Sequence, residues 1–184
     1  MKEMYNNSAL VLIISAITLI SCSKNDDSVP APKLGDTYKG GIIFYILQPG
    51  DPSYIEGETH GFIAYEKDLD TKYLWAQNCS SPSKYMLAKL GDLGDGLENT
   101  LNIVSGCPGV NNAANACNDL GWYLPSLKEM QKLKFNYLLV PNFSPTSTYW
   151  TSTIYSQTNQ DAYNSSGSTS NIFTTHFVRP IKKF

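Results

Sequence analysis

Apolar positions fall into short runs broken by turn-forming residues, and their period changes along the chain. An uncharged apolar stretch, Ala9 to Ile20, comes first. Gly41 to Leu47 (GIIFYIL) is a continuous β-branched and aromatic run behind a Gly-Gly turn, the pattern of a buried strand. Pro49 to Glu58 is rich in turn residues. Gly61 to Tyr65 then answers as the second arm of a long-looped hairpin, and Tyr73 to Trp75 reads as a third short strand. Beyond it the period becomes helical. Asn99 to Val104 and Asn111 to Leu120 predict helices, the second with an apolar stripe of Ala113, Ala114, Cys117 and Leu120. Ser126 with Glu129 three residues on is a capping box, and Leu127, Met130, Leu133 and Lys134 follow at helical spacing, so a helix runs to about Tyr137. Tyr149 to Tyr155 has strong strand propensity. Residues 156–171 are polar, with a hairpin tip expected around Ser165-Ser166-Gly167, and Ile172 to Lys182 closes the chain as a strand with Pro180 near its end. Strands first, helices in the middle and strands last is an α+β order, not an alternating βαβ one.

The leading apolar stretch is too short for a spanning helix, which needs about 20 apolar residues. With Lys2 before it, it has the length and basic flank of a secretory signal. Leu19-Ile20-Ser21-Cys22 resembles the bacterial lipobox, which implies cleavage before Cys22 and lipidation of that residue. Several acyl chains on one residue give stable membrane anchoring. The expected organisation is therefore a signal peptide over 1–21, a lipidated polar tether over 22–33, and one domain over 34–184. Ser23-Lys24-Asn25-Asp26-Asp27 resembles the lysine-then-acidic signal of Bacteroidota surface lipoproteins, with Asn25 intervening. The expected location is the outer membrane, lipid-anchored and surface-exposed.

Charge excludes one partner class. Fourteen basic and sixteen acidic residues give a net charge of −2, and the basic residues are scattered, so nucleic acid is not expected. Of the four cysteines, Cys22 is assigned to lipid. An exported chain permits disulfides. Cys117 on the apolar stripe reads as a small buried hydrophobe. On a continuous helix Cys107 and Cys117 would stand about 15 Å apart, too far to bridge, which favours a Cys79–Cys107 pair. No CxxC motif supports zinc. Asp92, Asp95 and Glu98 are a weak calcium set on a glycine-rich loop, better read as a solvated acidic loop. His60 and His176 read as surface or satisfied polar residues, so neither catalysis nor a cofactor is expected.

The order of several short motifs points further. Gly35-Asp36-Thr37-Tyr38-Lys39-Gly40-Gly41-Ile42-Ile43-Phe44-Tyr45, Asn99-Thr100 with Ile103, Ala113-Ala114 with Cys117, Trp122-Tyr123-Leu124-Pro125-Ser126 with Glu129-Met130, Tyr149-Trp150-Thr151-Ser152 and Val178-Arg179 follow one another along the chain. Together they resemble the Lcl C-terminal (DUF1566-like) domains of bacterial surface proteins, over almost all of 34–184. The resemblance implies a C-type-lectin-like fold: a twisted, mostly antiparallel sheet, paired terminal strands and flanking helices. It also implies an extracellular, non-enzymatic role. Gly121 stands where the family has Asp, and there is no collagen-like stem and no net basic surface, so binding of sulfated glycans is not carried over. Placed among these landmarks, Trp122, Tyr149 and Trp150 are expected in the core. The expected ligand surface is the polar stretch beyond, with Tyr155, Asn159, Asp161, Tyr163 and Asn164: tyrosine stacks on sugar faces, while Asn and Asp bond paired hydroxyls. The expected function is a lipid-anchored recognition module for a glycan or protein ligand in adhesion. The alternative is a structural or accessory subunit of a surface or fimbrial assembly that contacts protein only.

Overall fold

The computed structural model describes residues 30–109, 111–156 and 160–184. The chain divides into two units, Met1–Pro30 and Ala31–Phe184. The expected signal segment, Cys22 and most of the tether lie outside the described residues, as does Asn159. In chain order the strands are β1 (Thr37–Tyr38), β2 (Gly41–Ile46), β3 (Gly61–Tyr65), β4 (Tyr73–Leu74), β5 (Trp150–Ser156), β6 (Asp161–Asn164), β7 (Thr169–Asn171), β8 (Thr175–His176) and β9 (Ile181–Lys183). The helices are α1 (Pro82–Tyr85), α2 (Gly96–Gly106), α3 (Ala113–Asp119) and α4 (Leu127–Phe135), with a 3-10 turn at Tyr137–Leu139. This is an α+β chain, as the order of patterns predicts, and its strand ladders are antiparallel. Among the described residues the strands form three small sheets, ordered β1-β2-β3-β9, β4-β8 and β5-β6-β7, in place of one twisted sheet.

The first sheet shows why GIIFYIL is unbroken. The β2–β3 register shifts between Ile43 and Tyr45, so Phe44 is an extra residue in a bulge. Ile43 and Phe44 are both fully buried although adjacent, and so are Phe62, Ile63 and Ala64 in β3, which has no bulge: both faces of this sheet are covered, so its strands read as unbroken apolar runs. At Gly41 a Cβ would stand 2.6 Å from the Ala64 carbonyl oxygen and 2.8 Å from the Trp122 ring, so only glycine fits. The terminal strands share this sheet but do not pair with each other. β2 lies between β1 and β3, and the closing strand β9 takes the free edge of β3.

The expected strand Ile172–Lys182 is in fact two short ones. A turn closed by Thr174 N–H donating to the Asn171 carbonyl precedes β8, and between β8 and β9 the chain changes partners. Phe177 bonds to Thr148 and Trp150, Val178 and Pro180 accept from Leu69 and Tyr65, and only then does β9 join β3. No single neighbour runs alongside for the whole segment, so no continuous ladder forms.

The helices stand where the apolar period puts them, with α1 in addition. α3 is shorter than predicted, and Leu120, placed on its apolar stripe by spacing, caps the helix end and is 46% exposed. The Ser126–Glu129 capping box is present: Ser126 N–H donates to Glu129 Oε2 at 2.7 Å, and Glu129 N–H donates to Ser126 Oγ at 3.3 Å. One core cluster gathers Trp75, Ile103, Cys117, Leu124, Trp150 and Val178. The other gathers Phe44, Phe62, Met130, Leu133, Tyr149 and Ile181. Cys79 and Cys107 form a disulfide, and Cys117 is a buried free thiol whose pKa burial drives upward. The pair is the expected one, but not because of a continuous helix. α2 ends at Gly106, and Cys107 and Pro108 lie in the break before α3. Among the described residues no helix is long and apolar enough to cross a membrane.

Candidate ligand-binding surface

The third sheet carries the expected surface. β5 is buried from Trp150 to Ile154 and then emerges, leaving Tyr155 58% exposed. β6 alternates: Ala162 and Asn164 are buried, Asp161 and Tyr163 half-buried. In the β6–β7 register Asp161 faces Asn171 and Tyr163 faces Thr169, so these four share the outer side of the sheet. Tyr155 joins them through its ring, which meets Tyr163 edge to face with centroids 5.3 Å apart and planes at 80°. Two phenol rings at right angles thus form a corner, with the Asp161 carboxylate two residues before Tyr163. Beyond β7, Phe173 is 54% exposed, and its N–H donates to Asn171 Oδ1 at 3.1 Å.

The inner side of the sheet is committed to structure. Asn164 is buried. Its amide donates to Ser170 Oγ at 2.9 Å, and its carbonyl oxygen accepts from Ser166 N–H and Ser166 Oγ at 2.9 and 2.6 Å. This locks the turn between β6 and β7 and corrects the expectation that Asn164 faces a ligand: with period two it points opposite to Tyr163. Ser170 Oγ also bonds His176 Nε2 at 2.9 Å, and the His176 ring packs on Trp150 with centroids 4.4 Å apart. Burial, aided by Lys72, lowers the pKa of His176, so it sits as a neutral hydrogen-bonding group. The structure therefore brings Tyr155, Asp161 and Tyr163 together, turns Asn164 inward and leaves Asn159 outside the described residues. Thr169, Asn171 and Phe173 were missed by sequence reasoning. Two-residue alternation folded back about the predicted turn would have placed the first two.

The other candidates are used elsewhere. Asp92 pairs with Lys128, Asp95 Oδ2 accepts from the Asp92 N–H at 2.7 Å, and Glu98 is exposed in the first turn of α2. Among the described residues no group of three or more His, Cys, Asp or Glu is placed to hold a metal ion, so the weak calcium set is not assembled. His60 Nε2 meets Glu58 Oε2 at 2.6 Å on the surface. Trp150 and Tyr149 are core residues as expected, with Trp150 Nε1 donating to the Tyr73 carbonyl. Trp122 is not. It lies half-buried over Gly41, its ring edge-on to Tyr65 at 5.2 Å. Trp75, fully buried with Nε1 donating to the Thr151 carbonyl at 2.7 Å, takes the core position instead. No protein-family model matches the chain, and no curated protein matches it.

Proposed function

We propose that residues 34–184 are a recognition domain of the Lcl C-terminal (DUF1566-like) type, C-type-lectin-like in fold, held at the outer membrane through lipid on Cys22. In this reading the domain binds a glycan at the corner formed by Tyr155 and Tyr163 and has no catalytic role. The ordered sequence landmarks support the family, and the α+β arrangement, whose closing strand returns to the opening sheet, is compatible with the fold. The disulfide suits an exported protein.

One observation carries the binding site: an exposed and a half-buried tyrosine ring at right angles, with Asp161 on the same strand face as Tyr163, on the outer side of a sheet whose inner side is packed. Such rings supply rigid amphipathic contact area, and the carboxylate and nearby hydroxyls accept and donate hydrogen bonds to sugar. A near-neutral domain fits a neutral or weakly charged glycan. A glycan array should show several chemically related glycans captured by the wild-type protein and lost on Tyr155→Ala/Tyr163→Ala. Capture that survives the double substitution refutes the site.

A second reading has its own observation. Leu87, Leu90, Leu97 and Leu101 are exposed, and the last two stand four residues apart on α2, on one helix face. Such leucines favour protein contact, as in a subunit of a surface assembly. A blank array, with envelope partners lost on Leu97→Ser/Leu101→Ser, selects this reading.

A further inference from the structure

The greatest apolar exposure among the described residues is concentrated in one place. Phe135 and Leu138 are 85% and 84% exposed, whereas the next, Tyr155, is 58% exposed. Phe135 ends α4 and Leu138 lies in the 3-10 turn that follows. Leu34, itself 48% exposed, shares with Phe135 a cleft of about 480 Å³, also lined by Tyr45, Gln131 and Lys132. Gly35 lies against this turn, since a Cβ there would stand 3.7 Å from Leu139 Cδ2. The polypeptide thus enters the folded unit, which begins at Ala31, across the same face. An isolated exposed leucine needs no explanation; two almost fully exposed large side chains where the tether arrives do.

We infer that this face is a second membrane contact, with Leu34, Phe135 and Leu138 seated in the headgroup region of a phospholipid bilayer. The inference rests on the lipid-anchor reading of Cys22. The tether of residues 22–33 spans at most about 40 Å when extended, so an anchored domain stays within reach of the surface and meets it where the tether joins. Lysines rim the face. Lys33 is exposed, and Lys132 and Lys134 occupy the last turn of α4, with Lys132 Nζ 4.5 Å from the Tyr45 ring centroid and Lys134 Nζ donating to the Ser165 carbonyl at 3.4 Å. Long lysine stems lie along apolar surface while their ammonium groups stay at headgroup level, where anionic lipid attracts them. The neighbouring acids are internally bonded: Asp36 accepts from Lys33 N–H, and Asp51 from Tyr45 O–H.

The orientation is consistent with a ligand site facing outward. The Lys134–Ser165 bond puts the end of α4 beside the start of β5, because Ser165 N–H also bonds the Tyr149 carbonyl. Leu127 N–H donates to Thr153 Oγ1, so the start of α4 lies beside the far part of β5. α4 and β5 therefore run in opposite directions, and Tyr155 stands roughly 17 Å along β5 from Trp150, away from Phe135.

The test uses the full lipidated chain in phosphatidylcholine/phosphatidylglycerol vesicles, with an environment-sensitive fluorophore on Leu138→Cys or, as control, on Thr174→Cys in the exposed turn before β8. Brominated lipid should quench the label at 138 at least about threefold more than the label at 174, as for a residue buried at the acyl boundary. Equal quenching on protein that floats with the vesicles overturns this inference and leaves the anchor standing. Protein that does not float overturns both. A label at 138 that is already shielded without vesicles means that the face is covered by protein, and this too overturns the inference.

Discussion

Glu129 offers the sharpest quantitative test of the fold. Its carboxylate is fully buried, with Oε1 accepting from Gly94 N–H at 2.8 Å and Oε2 from Ser126 N–H at 2.7 Å. It is the second half of the capping box of α4 and also holds the loop before α2; a Cβ on Gly96 would run into Oε2. Burial raises the pKa of this group, while backbone N–H groups and Lys183 pull it down. Burial wins, and the value moves from 4.5 to about 7. The folded chain therefore holds this proton more tightly than the unfolded chain does. The associated stability is fully present below pH 4.5 and is lost as pH rises through about 7, to a total of roughly 3 kcal/mol. His176 works in the opposite sense, because its lowered pKa makes stability rise with pH through the ordinary histidine range. Comparison with Glu129→Gln separates the two. The glutamine has one accepting oxygen for two N–H groups, so one buried donor is left facing an NH₂, at about 1–3 kcal/mol. A protonated glutamic acid keeps a lone pair on each oxygen and avoids this. Urea denaturation from pH 4.5 to 8 should show wild-type stability falling relative to the variant, and the difference levelling off above pH 7. A constant difference across that range would mean that Glu129 does not titrate there. A wild-type advantage that grows with pH would mean that its hydrogen bonds outweigh burial.

Three further outcomes follow from the packing. Arg179 is fully buried, with Nε donating to Asp68 Oδ1 at 2.7 Å and Nη1 to the Tyr65 and Pro141 carbonyls at 3.2 Å, so Asp68→Ala should cost about 3–5 kcal/mol in urea denaturation; a loss below 1 kcal/mol would refute the pairing. Removing the disulfide by Cys79→Ala/Cys107→Ala opens a loop with a sequence separation of 28 and should cost about 3–4 kcal/mol, while a thiol reagent should reach Cys117 only after unfolding; rapid labelling of the native wild-type protein would refute its burial. Trp75→Ala or Trp150→Ala should cost about 3–5 kcal/mol, whereas Tyr155→Ala should stay within about half a kcal/mol in thermal melts; collapse of the tyrosine variant would make the aromatic corner part of the fold.

What the sequence determined by itself was local. The Ser126–Glu129 box and the turn after Asn164 depend on residues close in sequence, whose hydrogen bonding follows from the local backbone, and the apolar runs of β2 and β3 on either side of a turn-rich loop marked their hairpin. The Cys79–Cys107 pair was legible by elimination, although the break between α2 and α3 was not. Tertiary structure decided which partners met. Tertiary packing covers both faces of the first sheet, so adjacent side chains of β2 and β3 are buried, and it sets the bulge at Phe44. Leu120 leaves its stripe because α3 ends one residue before it, and Trp122 lies half-buried over Gly41 while Trp75 is in the core. The closing segment splits because its neighbours change along its length. Nothing local to Arg179 marks it for burial, yet it is buried against an aspartate 111 residues away. A local pattern sets which way a side chain points from its own backbone; only the packed chain sets what stands opposite it, and so whether that side chain is core, structural hydrogen bond or free surface.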